Sequence, residues 1–303
     1  MQRHSPKTLQ KIVVLVGPTA SGKTALAVQL AEIFNGEVVS ADSRQVYRGL
    51  DIGTDKITPA DIRGIPHHLI DVADPRDTYT AANFLRDADS ALADISARGK
   101  LPIVAGGTFF YIDVLLGTRA LAGVPASARV RAELESLPAE TLYEKLAVLD
   151  PVYAKQIDRH NPRRLVRALE IVAKKGSVPA FAATQRYDAC IIGIDVPPEV
   201  LQARINARLD ETLERGLVEE TKTLLAQGIP EARLNEIGLE YRVVLAHLRG
   251  DCTYEEMRTI LRQKIWQYAK RQCTWLAKMK NVQWIAFDDT EKARAIIRDF
   301  CGR

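Results

Sequence analysis

An unbroken apolar run, Ile12-Val13-Val14-Leu15-Val16, leads straight into GPTASGKT at residues 17–24. Five consecutive aliphatic residues suit a strand covered on both faces, as in a parallel sheet. Residues 25–33, ALAVQLAEI, then place apolar side chains at helical spacing. Strand, glycine-bounded loop and helix start are the setting that the pattern G-x-x-x-x-G-K-[ST] requires as a phosphate-binding loop. Gly17 and Gly22 let the backbone curl so that several N–H groups aim at one anion, at the positive end of a helix. Lys23 adds a charge and the Thr24 hydroxyl can hold Mg²⁺. Most chains with this pattern split ATP or GTP, but the loop alone does not distinguish a nucleotide from another molecule that ends in phosphates.

The rest of the first part continues the alternation. Residues 37–40 and 101–105 read as strands, the second ending in Gly106-Gly107-Thr108, and a helical pattern runs over 81–98 up to Gly99. Strands separated by helices imply a parallel sheet with helices on both faces, and ligands of such sheets sit at the carboxyl ends of the strands. Over 120–186 the strand pattern gives way to helices at 128–136, 141–149 and 162–175, the last opened by Asn161-Pro162 and stopped by Gly176. A strand returns at 189–196. Helices follow over 198–227, interrupted near Gly216, and over 254–280, where Met257, Ile260, Leu261, Ile265, Tyr268, Ala269, Cys273, Leu276 and Met279 form an apolar stripe. The expected fold is α/β: a P-loop NTPase-like parallel sheet flanked by helices, with an inserted all-helical subdomain. Residues 1–119 and 187–303 form the core and 120–186 the insertion.

A chain of 303 residues with 47% hydrophobic and 26% charged residues is ordinary for a soluble globular protein. Its start lacks the apolar region of a signal peptide, and no stretch is apolar enough to span a membrane, so a cytoplasmic location is expected. Cys190, Cys252, Cys273 and Cys301 have no paired spacing and read as reduced thiols. The net charge is only +4, but from Met257 to Phe287 there is no Asp or Glu, while Arg258, Arg262, Lys264, Lys270, Arg271, Lys278 and Lys280 all fall there. Arg159, Arg163, Arg164 and Arg167 make a second basic cluster. Such stretches mark either a nucleic-acid partner or a solvated helix face.

After the second strand comes Ser40-Ala41-Asp42-Ser43-Arg44-Gln45-Val46-Tyr47. Asp42 stands where nucleotide hydrolases place a carboxylate for Mg²⁺, as does Asp195 after a later strand; Asp42 could equally cap a helix. At this point the chain resembles the tRNA dimethylallyltransferase (tRNA isopentenyltransferase) family. The matching stretches are GPTASGKTALAVQLA, EVVSADSRQVYRGLDIGTDK, PHHLIDVADP, YTAANFLRDA, LPIVAGGTFFYI, NPRRLVRALEI, LQARINARLDETLERGLVEE, IGLEYRVV and YAKRQCTWL, in the family's order from residue 17 to about 276. The IGLEYRVV stretch departs from the G-Y-R-Q form of many bacterial members, and without a Cys/His array the eukaryotic zinc-finger extension is not expected.

The resemblance implies that the loop holds the diphosphate of dimethylallyl diphosphate, not ATP, and that the allyl group passes to N6 of adenine 37, beside the anticodon of tRNA. It implies diphosphate contacts at Gly17, Thr19, Ala20, Ser21, Gly22, Lys23 and Thr24, Mg²⁺ at Thr24, and Arg208 reaching over, with Arg204 one helical turn away. Asp42 matches the family's general base and Thr108 its crevice threonine. Asp42, Ser43, Arg44, Gln45, Thr108, Arg131, Arg163, Arg164, Arg167, Lys270, Arg271 and Gln272 match tRNA-contacting positions, and a monomer is expected. Trp266, Trp275 and Trp284, with Tyr111, read as core, and Tyr47 as core or crevice wall. Adjacent His67 and His68 read as structural, because neighbours on a strand face opposite ways. Three other functions fit parts of the pattern: an isopentenyltransferase using free AMP or ADP, a P-loop small-molecule kinase, and a non-catalytic RNA-binding protein. The basic clusters argue against a mononucleotide acceptor.

Overall fold

The computed structural model describes residues 9–302. The chain runs β1 (Lys11–Val16), α1 (Lys23–Phe34), β2 (Gly36–Ser40), α2 (Pro59–Ile62), β3 (His67–His68), α3 (Ala81–Ala97), β4 (Leu101–Ala105) and α4 (Phe109–Leu116). It continues through α5 (Ala128–Leu134), α6 (Ala139–Leu149), α7 (Pro151–Ala154) and α8 (Pro162–Lys175). Then come β5 (Asp188–Asp195), α9 (Pro198–Glu214), α10 (Leu217–Ala226), α11 (Glu231–Ile237), α12 (Leu239–Leu248), α13 (Tyr254–Leu276), β6 (Val282–Ala286) and α14 (Thr290–Cys301). The strands form one parallel sheet in the order β3-β2-β4-β1-β5-β6.

The apolar run at the start of the chain explains the layering. β1 lies fourth in the sheet, its edges paired with β4 and β5, and helices cover both its faces. Val13 and Leu15 join one core with Leu26, Leu30 and Phe34 of α1. Ile12, Val14 and Val16 join the other with Phe84, Leu92 and Ile95 of α3 and Ile112 of α4. Each fully buried aliphatic side chain contributes roughly 1.5–3 kcal/mol. β2 carries a charge into this setting. Glu37 is buried, and Arg98, Lys100 and His68 converge on its carboxylate, holding it well below the usual carboxylate range, with the Arg98 bond the largest cause. His68 spans 2.8 Å to Glu37, and His67 Nδ1 lies 2.8 Å from the Ile65 carbonyl, so the pair serves two different structural partners.

Local chemistry sets the helix ends. Asn161 accepts a bond from the Arg164 amide, Pro162 opens α8, and Gly176 closes it at φ 81°. Thr253 and Glu256 form a capping box for α13. Gly216 separates α9 from α10. The 254–280 pattern runs past the end of α13 at Leu276, and α2, α4, α7, α11, α12, β6 and α14 add elements to the sequence reading. The stripe on α13 needs one correction: Cys273 is exposed, and the buried position beside it is Gln272.

Two compact units result: 9–116 with 185–302, and 117–184. The helical unit has its own core of Leu142, Leu146, Leu165, Val166, Leu169 and Val172. No helix among the described residues is long and apolar enough to cross a membrane.

Candidate functional site

Because the sheet is parallel, β1, β2 and β4 all end on one side, and the segments that follow them line a crevice of about 620 Å³. Residues Thr19–Ala25 form one wall, Asp42, Arg44 and Gln45 another, and Gly106 with Gly107 a third. The approach of the β2 and β4 ends is close. A side chain at Gly106 would come within 2.2 Å of the Ala41 carbonyl oxygen, so only glycine fits there.

The loop of residues 17–24 is wound by two left-handed residues, Ala20 (φ 61°) and Gly22 (φ 93°). Gly22 then opens α1, whose first-turn amides have no partners within the helix. Lys23 folds back on the loop, donating to the Pro18 carbonyl at 2.6 Å and to Ser21 Oγ at 3.4 Å. Burial, and after it the charge of Arg208, lowers its pKa to about 8. Arg208, on α9, donates to Thr19 Oγ1 at 2.6 Å and to Asp55 Oδ2 at 2.9 Å. Arg204, one turn earlier, reaches the Ser21 carbonyl at 3.5 Å and lies over the Phe287 ring. Both arginines therefore face the loop, and Arg208 grips it by the stronger contacts. Thr24 lines the crevice, whereas Asp195 is exposed and does not line it.

Across the crevice, Asp42 Oδ1 accepts the amides of Arg44 at 2.8 Å and Gln45 at 3.4 Å. No helix starts here, so Asp42 caps none; its Oδ1 instead closes a tight turn over residues 42–45. Thr108 Oγ1 accepts the Ser43 amide at 3.0 Å and donates to Ser43 Oγ at 3.2 Å, tying the two strand ends together. Arg44 is paired with Glu240 of α12 at 2.6 Å and stacked on Tyr268 of α13. Gln45 donates to the Thr54 and Asp55 carbonyls.

Several positions matched to tRNA contacts have a different environment from the one the sequence suggested. Gln272 is 4% exposed and does not share the solvent face of Lys270 and Arg271. Its Oε1 accepts the Thr19 amide at 2.7 Å and its Nε2 donates to the Gly107 carbonyl at 3.1 Å, so it braces the phosphate loop against the β4 end. Within the helical unit, Arg131 and Arg167 converge on buried Glu170, at 3.0 Å each. Arg163 and Arg164 are exposed, and their side chains make no ion pair among the described residues. In the acid-free stretch, Arg258 and Arg262 are held by Asp210 of α9, at 2.9 and 3.0 Å. Lys264, Lys270, Arg271, Lys278 and Lys280 remain exposed.

The aromatic residues also sort themselves. Tyr111 is buried and stacked on Phe84, and Tyr47 is buried with its hydroxyl bonded to Arg233 and the Tyr79 amide. Trp275 stacks on Phe109. Trp284, read as core, is instead 40% exposed on β6, the edge strand. Glu240 and Asp55 escaped the sequence reading, and Tyr268 entered it only as part of the apolar stripe. A helix over 239–248 would have drawn attention to Glu240; no pattern singled out Asp55.

A phosphate loop opening into a crevice at the carboxyl edge of a helix-covered parallel sheet defines the class: an α/β protein of P-loop NTPase-like fold. Comparison with known proteins narrows this. The IPP transferase family model matches residues 45–279, and the isopentenyl transferase model matches 10–75. The tRNA dimethylallyltransferase of Thermomicrobium roseum is 45% identical over 280 residues, covering 90% of this chain and 85% of that one. The crystal structure of the tRNA isopentenylpyrophosphate transferase from Bacillus halodurans superposes with a TM-score of 0.71 at 39% identity, covering 97% of this chain and 95% of its own. A eukaryotic dimethylallyltransferase acting on tRNA gives a TM-score of 0.82 at 30% identity, covering 97% and 80%. The chain belongs to the IPP transferase family, that of the tRNA dimethylallyltransferases.

Proposed function

We propose that the protein transfers the dimethylallyl group of dimethylallyl diphosphate to N6 of adenine 37 in the anticodon loop of tRNA, releasing diphosphate. The observation that carries this reading is the placement of the Asp42 carboxylate and the Lys23 loop on opposing walls of one crevice in a member of this family.

The chemistry follows from the two walls. As the C1–O bond breaks, negative charge grows on the leaving diphosphate. The first-turn amides of α1, the Lys23 ammonium and the Arg208 guanidinium are positioned to stabilise it. No group of three His, Cys, Asp or Glu side chains among the described residues could cage a metal. The Thr24 hydroxyl therefore suits a hard cation that arrives largely held by diphosphate oxygens and water. When bound, Mg²⁺ supplies further neutralisation of that charge. The adenine amine is a poor nucleophile because its lone pair is drawn into the ring. Asp42 accepts its proton as the N6–C1 bond forms, while the two amides on Oδ1 hold the carboxylate in place.

Adenine must leave its stack to reach this point, as enzymes that act on bases require. The exposed Arg163, Arg164, Lys270 and Arg271 are suited to tRNA phosphates, and Ser43, Arg44 and Gln45 to the neighbourhood of the extruded base. Arg131, Arg167 and Gln272 also brace their surroundings. The test is mass analysis of tRNA incubated with dimethylallyl diphosphate and Mg²⁺, with free AMP as competing acceptor. Addition of one five-carbon unit to tRNA is expected. Modification of AMP alone, or consumption of ATP, would overturn the reading.

A further inference from the structure

A second cavity, of about 690 Å³, adjoins the crevice. Ile57, His67 and Ile70 line both. Beyond them the second cavity has an apolar part, Pro59, Ile62, Ile65 and Pro66, and a polar part, Asp51, Lys56, Thr58, Asp71 and the exposed Arg215. Its one buried cation, Lys56, is already occupied by Asp51, Asp71 and the Tyr47 carbonyl. The crevice itself is polar. Apart from alanines, the aliphatic side chains along its wall are Val38, Ile57 and Ile70. A hydrocarbon chain whose diphosphate sits at residues 19–24 therefore finds its apolar surface at the boundary between the cavities.

From this juxtaposition we infer that Ile57, His67 and Ile70 form a partition that limits the donor to five carbons, and that removing it admits a ten-carbon allylic diphosphate into the second cavity. The inference rests on the transferase reading above. The reaction is unchanged: the C1–O bond breaks, the N6–C1 bond forms, the proton goes to Asp42 and diphosphate leaves.

His67 suits a partition more than a polar contact. Its Nδ1 is engaged by the Ile65 carbonyl, and its Nε2 is buried with no hydrogen-bond partner. Burial lowers its pKa, which favours the neutral ring. Truncating it removes an unpaired buried polar atom, which limits the damage to stability.

The experiment compares kcat/KM for geranyl and dimethylallyl diphosphate, with tRNA as acceptor and mass detection. The wild type should transfer five carbons and not ten. His67→Ala combined with Ile70→Ala should raise the ten-to-five ratio roughly tenfold or more, the usual range for pocket discrimination by chain size. Adding Ile62→Trp, at a residue that lines the second cavity and not the crevice, should lower the ratio again. The inference falls if the folded double variant keeps the wild-type ratio, if Ile62→Trp does not reverse the gain, or if the wild type already uses the longer donor. Should the double variant not fold, Ile70→Ala alone is judged by the same ratio. Failure of the wild type to use either donor would sink the transferase reading itself.

Discussion

Arginine does different work in the two units. In the α/β unit, Arg44 and Arg208 stand at the crevice wall, each tied to one carboxylate and to one group of the site: Tyr268 for Arg44, Thr19 for Arg208. In the helical unit, Arg131 and Arg167 share one buried carboxylate, while Arg163 and Arg164, on the same helix as Arg167, stay in solvent. A basic cluster in sequence is thus partly scaffold and partly free surface. Which part is which depends on where the rest of the fold delivers an acid.

The comparison can be broken first at the crevice. Asp42→Ala should lower the rate of transfer about 10²–10⁴-fold, the usual contribution of a positioned base, with tRNA affinity retained. Single-turnover rates beside a binding titration read both, and near-normal turnover would remove the base. Next, pH tests the electrostatic wall. Burial lowers the Lys23 pKa to about 8, so its charge is lost as pH rises through that value, and KM for the donor should climb above it and then level off as the α1 amides and Arg208 continue to bind. Because the folded pKa lies below the ordinary one, this residue itself adds stability as pH rises between the two, and circular dichroism across the same range separates weaker donor binding from unfolding. A flat KM from pH 7 to 10 would contradict this role.

The helical unit offers the third and fourth tests. Glu170→Ala leaves Arg131 and Arg167 without their shared acid and frees the Ser127 amide. With both arginines more than a third exposed, solvent screens much of the loss, and about 1–3 kcal/mol of destabilisation is expected, visible as faster amide exchange within 117–184. Unchanged exchange would place Glu170 outside the scaffold. The smallest effect belongs to Arg163→Ala with Arg164→Ala. Affinity for tRNA should fall a few-fold, and the slope of log affinity against log salt should shrink by about 1–2, with melting unchanged. Arg131→Ala should do the reverse, loosening the fold more than the salt slope; equal slopes for the two would erase the distinction.

Much of this was legible in the chain. The run 12–16 and GPTASGKT specified a buried parallel strand, an anion loop and a helix start, because each is encoded by neighbouring residues. Asn161-Pro162 and Gly176 bounded α8 as read, because caps are local chemistry. Less local features were misjudged. The acid-free stretch 257–287 looked unpaired, yet Asp210 neutralises two of its arginines from another helix. Gln272 looked like one of a run of surface contacts, yet α13 turns it inward to the phosphate loop. Trp284 looked like core because aromatic residues usually are, but β6 is an edge strand.

The sequence alone determined the parallel α/β frame and the anion cradle, since backbone conformation over short spans follows from the residues within them; Asp42 as candidate base came from the resemblance to the family. Tertiary structure decided which polar groups brace one another, which arginines remain free, and that Ile57, His67 and Ile70 stand between two cavities. Those depend on contacts between residues far apart in the chain, and no local pattern carries them.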